Sequence, residues 1–161
     1  MKNLLARVPG VYTRPTPMPF DVEYRQDICD SAFSKVPRYG HTLIKTHLNP
    51  TPGNIHCIEK NGVEKVLIMY RDFIDVVMSH YYRLLEFPKP EHAFDYFDYR
   101  TMSREDGLAH CIEYTARCSI PWIEGWLNIA SGRPDKYCIV RFEDLKKDTK
   151  STFRRVLDFY G

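Results

Sequence analysis

The sequence has no long apolar run, and this absence limits the classes of protein to which it can belong. No stretch approaches the roughly 20 apolar residues of a transmembrane helix. The first residues contain too short an apolar run for a secretory signal peptide. We therefore expect a cytoplasmic protein that has no membrane partner.

Closely spaced cysteines are also missing. The five cysteines are scattered and odd in number, and no pair has the C-x-x-C spacing of a zinc or redox motif. A chain of 161 residues buries enough surface to fold without disulfides. We expect reduced, mostly buried thiols. We also expect no metal site, because no group of His, Cys or carboxylate residues has ligand spacing.

The chain carries little net charge. Lys plus Arg is 23 and Asp plus Glu is 21, so the formal net charge is +2. Basic residues alternate with acidic ones, and we therefore expect no nucleic-acid partner. Any anion must be bound by a local site. The hydrophobic content of 43% excludes a disordered tail, and the length suits one domain.

The order of apolar runs predicts the fold class. Residues 1–40 contain several prolines and no helical period, and we expect them to form an irregular segment. Apolar runs at 41–47, 65–70 and 137–142 predict strands, and helical periods lie between them. Strands that alternate with helices predict an α/β layer sandwich around a parallel sheet.

Helix boundaries can be predicted from caps and breakers. Asp72 is a suitable N-cap for the helix that follows the second strand. Pro121 is expected to break a later helix or to open a second one, which Gly132 ends. The final helix is expected to start near Asp148. The helix after Asp72 is predicted to carry an apolar face of five residues: Ile74, Val77, Met78, Tyr81 and Leu85.

Polar side chains follow all three predicted strands. In parallel α/β sheets, ligands bind at the carboxyl ends of the strands. Three polar endings together predict a pocket that contains a histidine and arginines. The polar residues are Lys45 and His47 after the first strand, Arg71 after the second, and Arg141, Glu143 and Asp144 after the third.

Arg71 has two interpretations. It lies beside a predicted helix N-terminus, where free backbone N–H groups and the guanidinium together would bind a phosphate. Ser79, on the same helix face as Asp72 and Asp75, would donate its hydroxyl to the same anion. Alternatively, Arg71 pairs with Asp75 and Ser79 is a small residue at a helix contact. Spacing alone somewhat favours the second interpretation.

Four segments together resemble cytosolic-type sulfotransferases. Residues 43–50 (LIKTHLNP) resemble the family's K-T-H-L-P segment, and residues 66–82 (VLIMYRDFIDVVMSHYY) resemble V-x-Y-V-x-R-N-P-R-D-V-x-V-S-x-Y-Y. Gly125-Trp126 resembles a G-W-W helix. Residues 141–161 resemble Y-E-D-L-K followed by I-x-R-I-L-x-F-L-G. The order and spacing of all four segments match.

The resemblance implies a three-layer sandwich with the P-loop-nucleotide-hydrolase-like sulfotransferase fold. The implied reaction transfers a sulfuryl group from 3′-phosphoadenosine 5′-phosphosulfate to the hydroxyl or amine of a small-molecule acceptor. By position, Arg71 and Ser79 match the family's binders of the nucleotide 3′-phosphate. Phe142 stands where the family often has a tyrosine near the adenine, and His47 matches the family's general base. Lys45 shares a strand face with His47 and would favour developing negative charge.

The sequence departs from the family pattern in ways that lead to an expectation about activity. Phe73-Ile74 replaces a Pro-Arg or Pro-Lys pair, and Asn49 is inserted before the proline of the first segment. Residues 1–40 contain no Lys-Ser-Gly run like that of the family's phosphosulfate loop. We expect residues 41–161 to form a partial sulfotransferase-like domain that lacks the loop-bearing strand and is weak or inactive. The strands at 65–70 and 137–142 should then pair directly or leave a gap.

Two other functions remain open from the residues. The chain could be a nucleotide- or anion-binding module that uses Arg71 and has no transferase activity. It could also be a partner-binding protein in which the aromatic stretch 87–99 forms an interface.

Overall fold

The computed structural model describes residues 5, 7–15, 27–33, 41–87 and 97–161. Contacts divide the chain into two compact units, residues 1–66 and 67–161, which we describe separately. The helices and strands, in chain order, are β1 (Val11–Pro15), a 3-10 helix (Asp30–Phe33), β2 (His41–Lys45), α1 (Pro52–Lys60), β3 (Val66–Tyr70), α2 (Phe73–Glu86), α3 (Arg104–Gly132), β4 (Tyr137–Arg141), α4 (Phe142–Lys147) and α5 (Thr149–Tyr160).

The first unit contains a parallel pair of strands. β1 pairs with β2 in a register that places Val11 opposite His41 and Pro15 opposite Lys45. The prediction that residues 1–40 are irregular is therefore wrong for β1. Val and Thr favour strands. In this segment, however, they form too short a run among prolines to give a period, and their partner strand lies far along the chain.

Helix α1 was missed by the sequence analysis, although its start has a local signal. The Thr51 hydroxyl accepts a hydrogen bond from the Asn54 N–H, and Pro52 occupies the first helical turn. Both features are typical of a helix N-terminus. Asp30 links the 3-10 helix to α1, since its carboxylate accepts hydrogen bonds from Lys60 Nζ at 2.6 Å and Asn61 Nδ2 at 2.9 Å.

The second unit contains the other pair of strands. β3 and β4 are neighbours in a two-stranded sheet, and their bounds agree with the predicted strands within one residue. Direct pairing is one of the two arrangements expected for these strands. The residues that follow the two strands also meet, because the Asp72 N–H donates to Glu143 Oε1 at 3.0 Å. The carboxyl ends of β3 and β4 therefore lie at the same edge.

Helices α2 and α3 pack around the main apolar cluster of the second unit. Gly107 allows a close approach, since a Cβ at this position would lie 3.0 Å from the Tyr81 ring. The predicted apolar face of α2 is confirmed for Val77 and Tyr81, but Ile74 is 70% exposed. The cluster consists of Val77, Tyr81, Leu84, Tyr99 and Cys111.

Pro121 does not interrupt α3, so the predicted break is wrong. Proline removes one backbone hydrogen bond and disfavours a helix interior. The part of α3 beyond Pro121 packs against the sheet: the Trp126 ring lies 6.1 Å from that of Tyr137 on β4. The predicted ends are confirmed: α3 ends at Gly132, and Asp148 caps α5 through the Ser151 N–H.

All five cysteines are free thiols, but the expectation that most of them are buried holds for only two. Cys57 and Cys111 are buried, Cys138 is half-buried, and Cys29 and Cys118 are exposed. Desolvation raises the thiol pKa of the three less exposed cysteines. Among the described residues, no helix is both long and apolar enough to cross a membrane.

Tyr160 gives the second unit a predicted alkaline instability. Burial, with a smaller contribution from Cys138, raises its pKa to about 12, whereas an unfolded tyrosine titrates near pH 10. The neutral ring thus stabilises the fold fully below pH 10, and this contribution is lost as the pH rises through 12. At about pH 11.5 the loss should be about 2 kcal/mol.

Urea unfolding at about pH 9.5 and 11.5 tests this prediction. Tyr160→Phe should lose about 2 kcal/mol less stability than the wild type over that interval. Tyr82→Phe, at a tyrosine that is 52% exposed, should behave like the wild type. Equal losses in the wild type and Tyr160→Phe would contradict the prediction.

Candidate functional site

The edge where β3 and β4 end brings two of the predicted nucleotide-binding residues together. Arg71 follows β3 directly, and Phe142 follows β4. The guanidinium carbon of Arg71 lies 5.2 Å from the centre of the Phe142 ring, which is within the range of a cation–π contact. The opposite end of α4 contributes Lys146, whose Nζ lies 5.9 Å from the same ring.

The N-terminus of α2 is capped from within the protein. Asp72 Oδ1 accepts hydrogen bonds from the N–H groups of Ile74 at 3.0 Å and Asp75 at 3.3 Å. The N–H of Asp72 itself donates to Glu143. Asp72 is thus confirmed as the N-cap, but the expectation of free N–H groups is wrong for these three. Two of the three bonds are local, since an aspartate at the N-cap supplies the acceptor oxygen that an anion would otherwise provide, whereas the third is a tertiary contact with Glu143.

Arg71 makes the ion pair that one of its two interpretations predicts. Its Nη2 and Nε lie 2.9 and 3.2 Å from the same oxygen, Oδ2 of Asp75. The two side chains are 37% and 52% exposed. Exposed ion pairs of this kind contribute only about 0–1 kcal/mol. A phosphate that offers two or more oxygens can therefore compete with Asp75 for the guanidinium.

Ser79 is exposed on α2, about one helical turn beyond Asp75. It remains a predicted phosphate donor and lies on the side of the helix that carries the Arg71–Asp75 pair. Three carboxylates, those of Asp72, Asp75 and Glu143, lie near this edge. The positive charge needed to bind a phosphate here must therefore come from individual basic side chains. Arg71 is one such basic side chain.

The histidine segment lies in the first unit. His47 follows β2 and is exposed, and Leu48 beside it is buried. Two residues further on, the carbonyl of the inserted Asn49 accepts hydrogen bonds from Thr51 N and from Asn54 Nδ2, both at 2.8 Å. These bonds fix the loop that carries His47. The side chain of Lys45 lies outside the described part of the structure.

Asn54, in the first turn of α1, is buried beside that loop. It is 2% exposed, and its Oδ1 also accepts a hydrogen bond from the Ile28 N–H at 2.9 Å. One amide side chain thereby links α1 both to the histidine segment and to residue 28. No sequence motif marks Asn54, because its bond to Ile28 spans 26 positions and depends on how the chain folds back.

The aromatic stretch 87–99 is described only at its ends, since residues 88–96 lie outside the described residues. Phe97 is 45% exposed and stacks on the ring of His110 with a centroid distance of 3.8 Å. Tyr99 is buried, and its hydroxyl lies 2.8 Å from Nδ1 of the same histidine. The described end of the stretch thus packs on α3, and the interface interpretation stays a prediction.

From the sequence, Glu143 was predicted only to be one of the polar residues that follow the third strand. In the structure, one of its oxygens binds the N–H of Asp72, and the other lies 3.8 Å from Arg141 Nε. Among the described residues, no group of three or more His, Cys, Asp or Glu side chains is arranged to hold a metal ion.

Comparison with known proteins assigns the chain to a family. The family model of the sulfotransferase domain matches residues 2–161, including the segment 2–40 that the resemblance left out. Sulfotransferase 2A6 of Rattus norvegicus is 25% identical over 136 residues, which cover 78% of this chain and 41% of that protein. The chain thus spans less than half the length of this relative, and no solved structure matches it. The chain belongs to the sulfotransferase domain family.

Proposed function

We propose that this chain binds 3′-phosphoadenosine 5′-phosphosulfate and transfers its sulfuryl group to the hydroxyl or amine of a small-molecule acceptor. Family membership supports the reaction class. The observation that carries the proposal is the placement of Arg71 beside Phe142 where β3 and β4 end. We also infer that the complete fold is the three-layer, P-loop-nucleotide-hydrolase-like sandwich implied by the resemblance.

On the nucleotide side, the Arg71 guanidinium would bind the 3′-phosphate in place of Asp75. Its planar fork matches two phosphate oxygens, and the exposed ion pair costs little to exchange. The hydroxyl of Ser79 would add a hydrogen bond further along α2. The ring of Phe142 would stack with the adenine, although it has no hydroxyl to donate a hydrogen bond.

On the acceptor side, His47 would act as the general base. The acceptor oxygen or nitrogen forms a bond to sulfur while the bond between sulfur and the bridging phosphate oxygen breaks. Adenosine 3′,5′-bisphosphate leaves, and the acceptor proton passes to the imidazole of His47. Imidazole suits this role because it titrates near neutral pH. The ammonium of Lys45 would stabilise negative charge that develops during transfer.

We infer that transfer by this 161-residue chain is slow, because its sequence contains no Lys-Ser-Gly run to cradle the phosphosulfate. Preorganised donors at such a site supply a large share of transition-state stabilisation. A panel of phenols and alcohols with a radiolabelled sulfuryl donor measures the rate. Rapid turnover by the chain would contradict this inference.

Calorimetric titration with adenosine 3′,5′-bisphosphate tests the nucleotide site. Arg71→Ala should weaken binding by about 2 kcal/mol, or roughly thirtyfold, because a charge-assisted hydrogen-bond pair to phosphate is lost. Arg117 is a matched control, since it also forms an exposed i,i+4 ion pair on a helix, with Glu113. Arg117→Ala should bind like the wild type. Equal affinities of Arg71→Ala and the wild type would contradict the assignment.

A further inference from the structure

A hydrogen bond joins the two turns that follow β3 and β4. The backbone N–H of Asp72 donates to Glu143 Oε1 at 3.0 Å, across 71 positions of sequence. Asp72 is the neighbour of Arg71, and Glu143 is the neighbour of Phe142. Each end of the bond therefore lies one residue from a group that we assign to the nucleotide site.

The geometry of this bond bears directly on the direction of Arg71. The Asp72 N–H belongs to the peptide unit that joins Arg71 to Asp72, so holding it fixes the backbone from which the guanidinium extends. On the other side, Glu143 lies in the first turn of α4, immediately after Phe142. The bond thus sets the separation between the two turns, and the 5.2 Å contact between Arg71 and Phe142 depends on that separation.

The remaining contacts of Glu143 show that it is not simply a surface charge. Its side chain is 31% exposed, and its Oε2 atom is buried without a hydrogen bond among the residues that the structure describes. The basic atom recorded near Oε2 is Arg141 Nε, at 3.8 Å, which is beyond hydrogen-bond distance. A carboxylate oxygen left in this state is unfavourable for stability. Among the described residues, the hydrogen bond that the structure shows for this carboxylate is therefore the one from the Asp72 N–H.

We propose that Glu143 is a positioning residue of the nucleotide site. It holds the Arg71–Asp72 peptide so that the guanidinium lies beside the ring of Phe142. The inference rests on the proposed function, because it acts through Arg71 on binding of the 3′-phosphate. It assigns no contact between Glu143 and the nucleotide.

The hydrogen bond itself can be tested without a ligand, by amide hydrogen exchange of Asp72 in the full chain. Glu143→Ala should speed this exchange at least about tenfold, since the acceptor is removed. Glu143→Gln keeps an acceptor oxygen at the same distance from the backbone. In this variant the Asp72 amide should exchange at a rate within about threefold of the wild-type rate. Unchanged exchange in Glu143→Ala would overturn the proposal at its first step.

A double-mutant cycle with adenosine 3′,5′-bisphosphate as the probe tests the positioning role. Glu143→Ala should weaken binding about tenfold in the wild-type background and less than about twofold in the Arg71→Ala background. Glu143→Gln should restore most of the affinity. Glu124→Ala is the matched control, because it removes the same charge from an exposed glutamate of α3 in the same compact unit, and it should bind like the wild type.

The outcomes separate this inference from the proposed function. If Arg71→Ala weakens binding and Glu143→Ala does not, the positioning role is wrong and the nucleotide site stands. Equal tenfold losses from Glu143→Ala in both backgrounds would also overturn the inference, because the effect would not pass through Arg71. If neither Arg71→Ala nor Glu143→Ala alters binding, the nucleotide assignment fails together with the inference, even where the exchange result confirms the hydrogen bond.

Discussion

Replacing His47 with alanine is expected to lower the rate of sulfuryl transfer by about 10²–10⁴-fold, the usual contribution of a positioned general base. Without the imidazole, the acceptor must lose its proton to water during attack on sulfur. The affinity for adenosine 3′,5′-bisphosphate should stay within about twofold of the wild type, because His47 is assigned to the acceptor. Radiolabelled sulfuryl transfer and calorimetric titration measure the two quantities separately.

His56→Ala is the matched control for this experiment. His56 is an exposed histidine of α1 in the same compact unit, and its loss should leave the rate unchanged. A rate for His47→Ala within threefold of the wild type would contradict the role of His47 as base. If the wild type binds the nucleotide but does not exceed the uncatalysed rate, the result favours a binding module without transferase activity.

Replacing Trp126 with alanine is expected to reduce the free energy of unfolding by about 3–5 kcal/mol, as is typical for a buried tryptophan. Trp126 is 3% exposed, and its ring lies 6.5 Å from that of Trp122 and 6.1 Å from that of Tyr137. The cavity left by the indole would lie between α3 and β4. Because domains have only about 5–15 kcal/mol of stability, this is a large share of the total.

Urea unfolding followed by circular dichroism measures the effect. Leu127→Ala is the control, since Leu127 is the next residue of α3 and is 37% exposed. It should cost less than about 1 kcal/mol. A loss below about 1 kcal/mol for Trp126→Ala would contradict the packing described for α3.

The features predicted best from the sequence are those with a local cause. The Asp72 cap, the Asp148 cap and the end of α3 at Gly132 follow from contacts within a few residues, and the structure has all three. Helix α1 also has a local signal in Thr51 and Pro52, which the predicted helices did not include. Strand β1 lacks a comparable local signal.

Errors occurred where packing outweighed local preference. Ile74 fits the helical period of α2 and is nevertheless 70% exposed, because the face that meets α3 is centred on Val77 and Tyr81. Pro121 was expected to break a helix or to open a second one, but α3 continues through it, and Trp126 beyond it packs against Tyr137.

The sequence by itself determined the family, the strands that precede Arg71 and Phe142, and the pairing of Arg71 with Asp75 as one of two alternatives. The family follows from the order of the motifs, and the strands follow from local apolar runs. The Arg71–Asp75 pair follows from a spacing of four positions, which brings two side chains together at a helix. Only the tertiary structure decided that Arg71 lies beside Phe142 and that Glu143 holds the N–H of Asp72. Those partners are 71 positions apart, and they meet because β3 and β4 pair with their carboxyl ends at one edge.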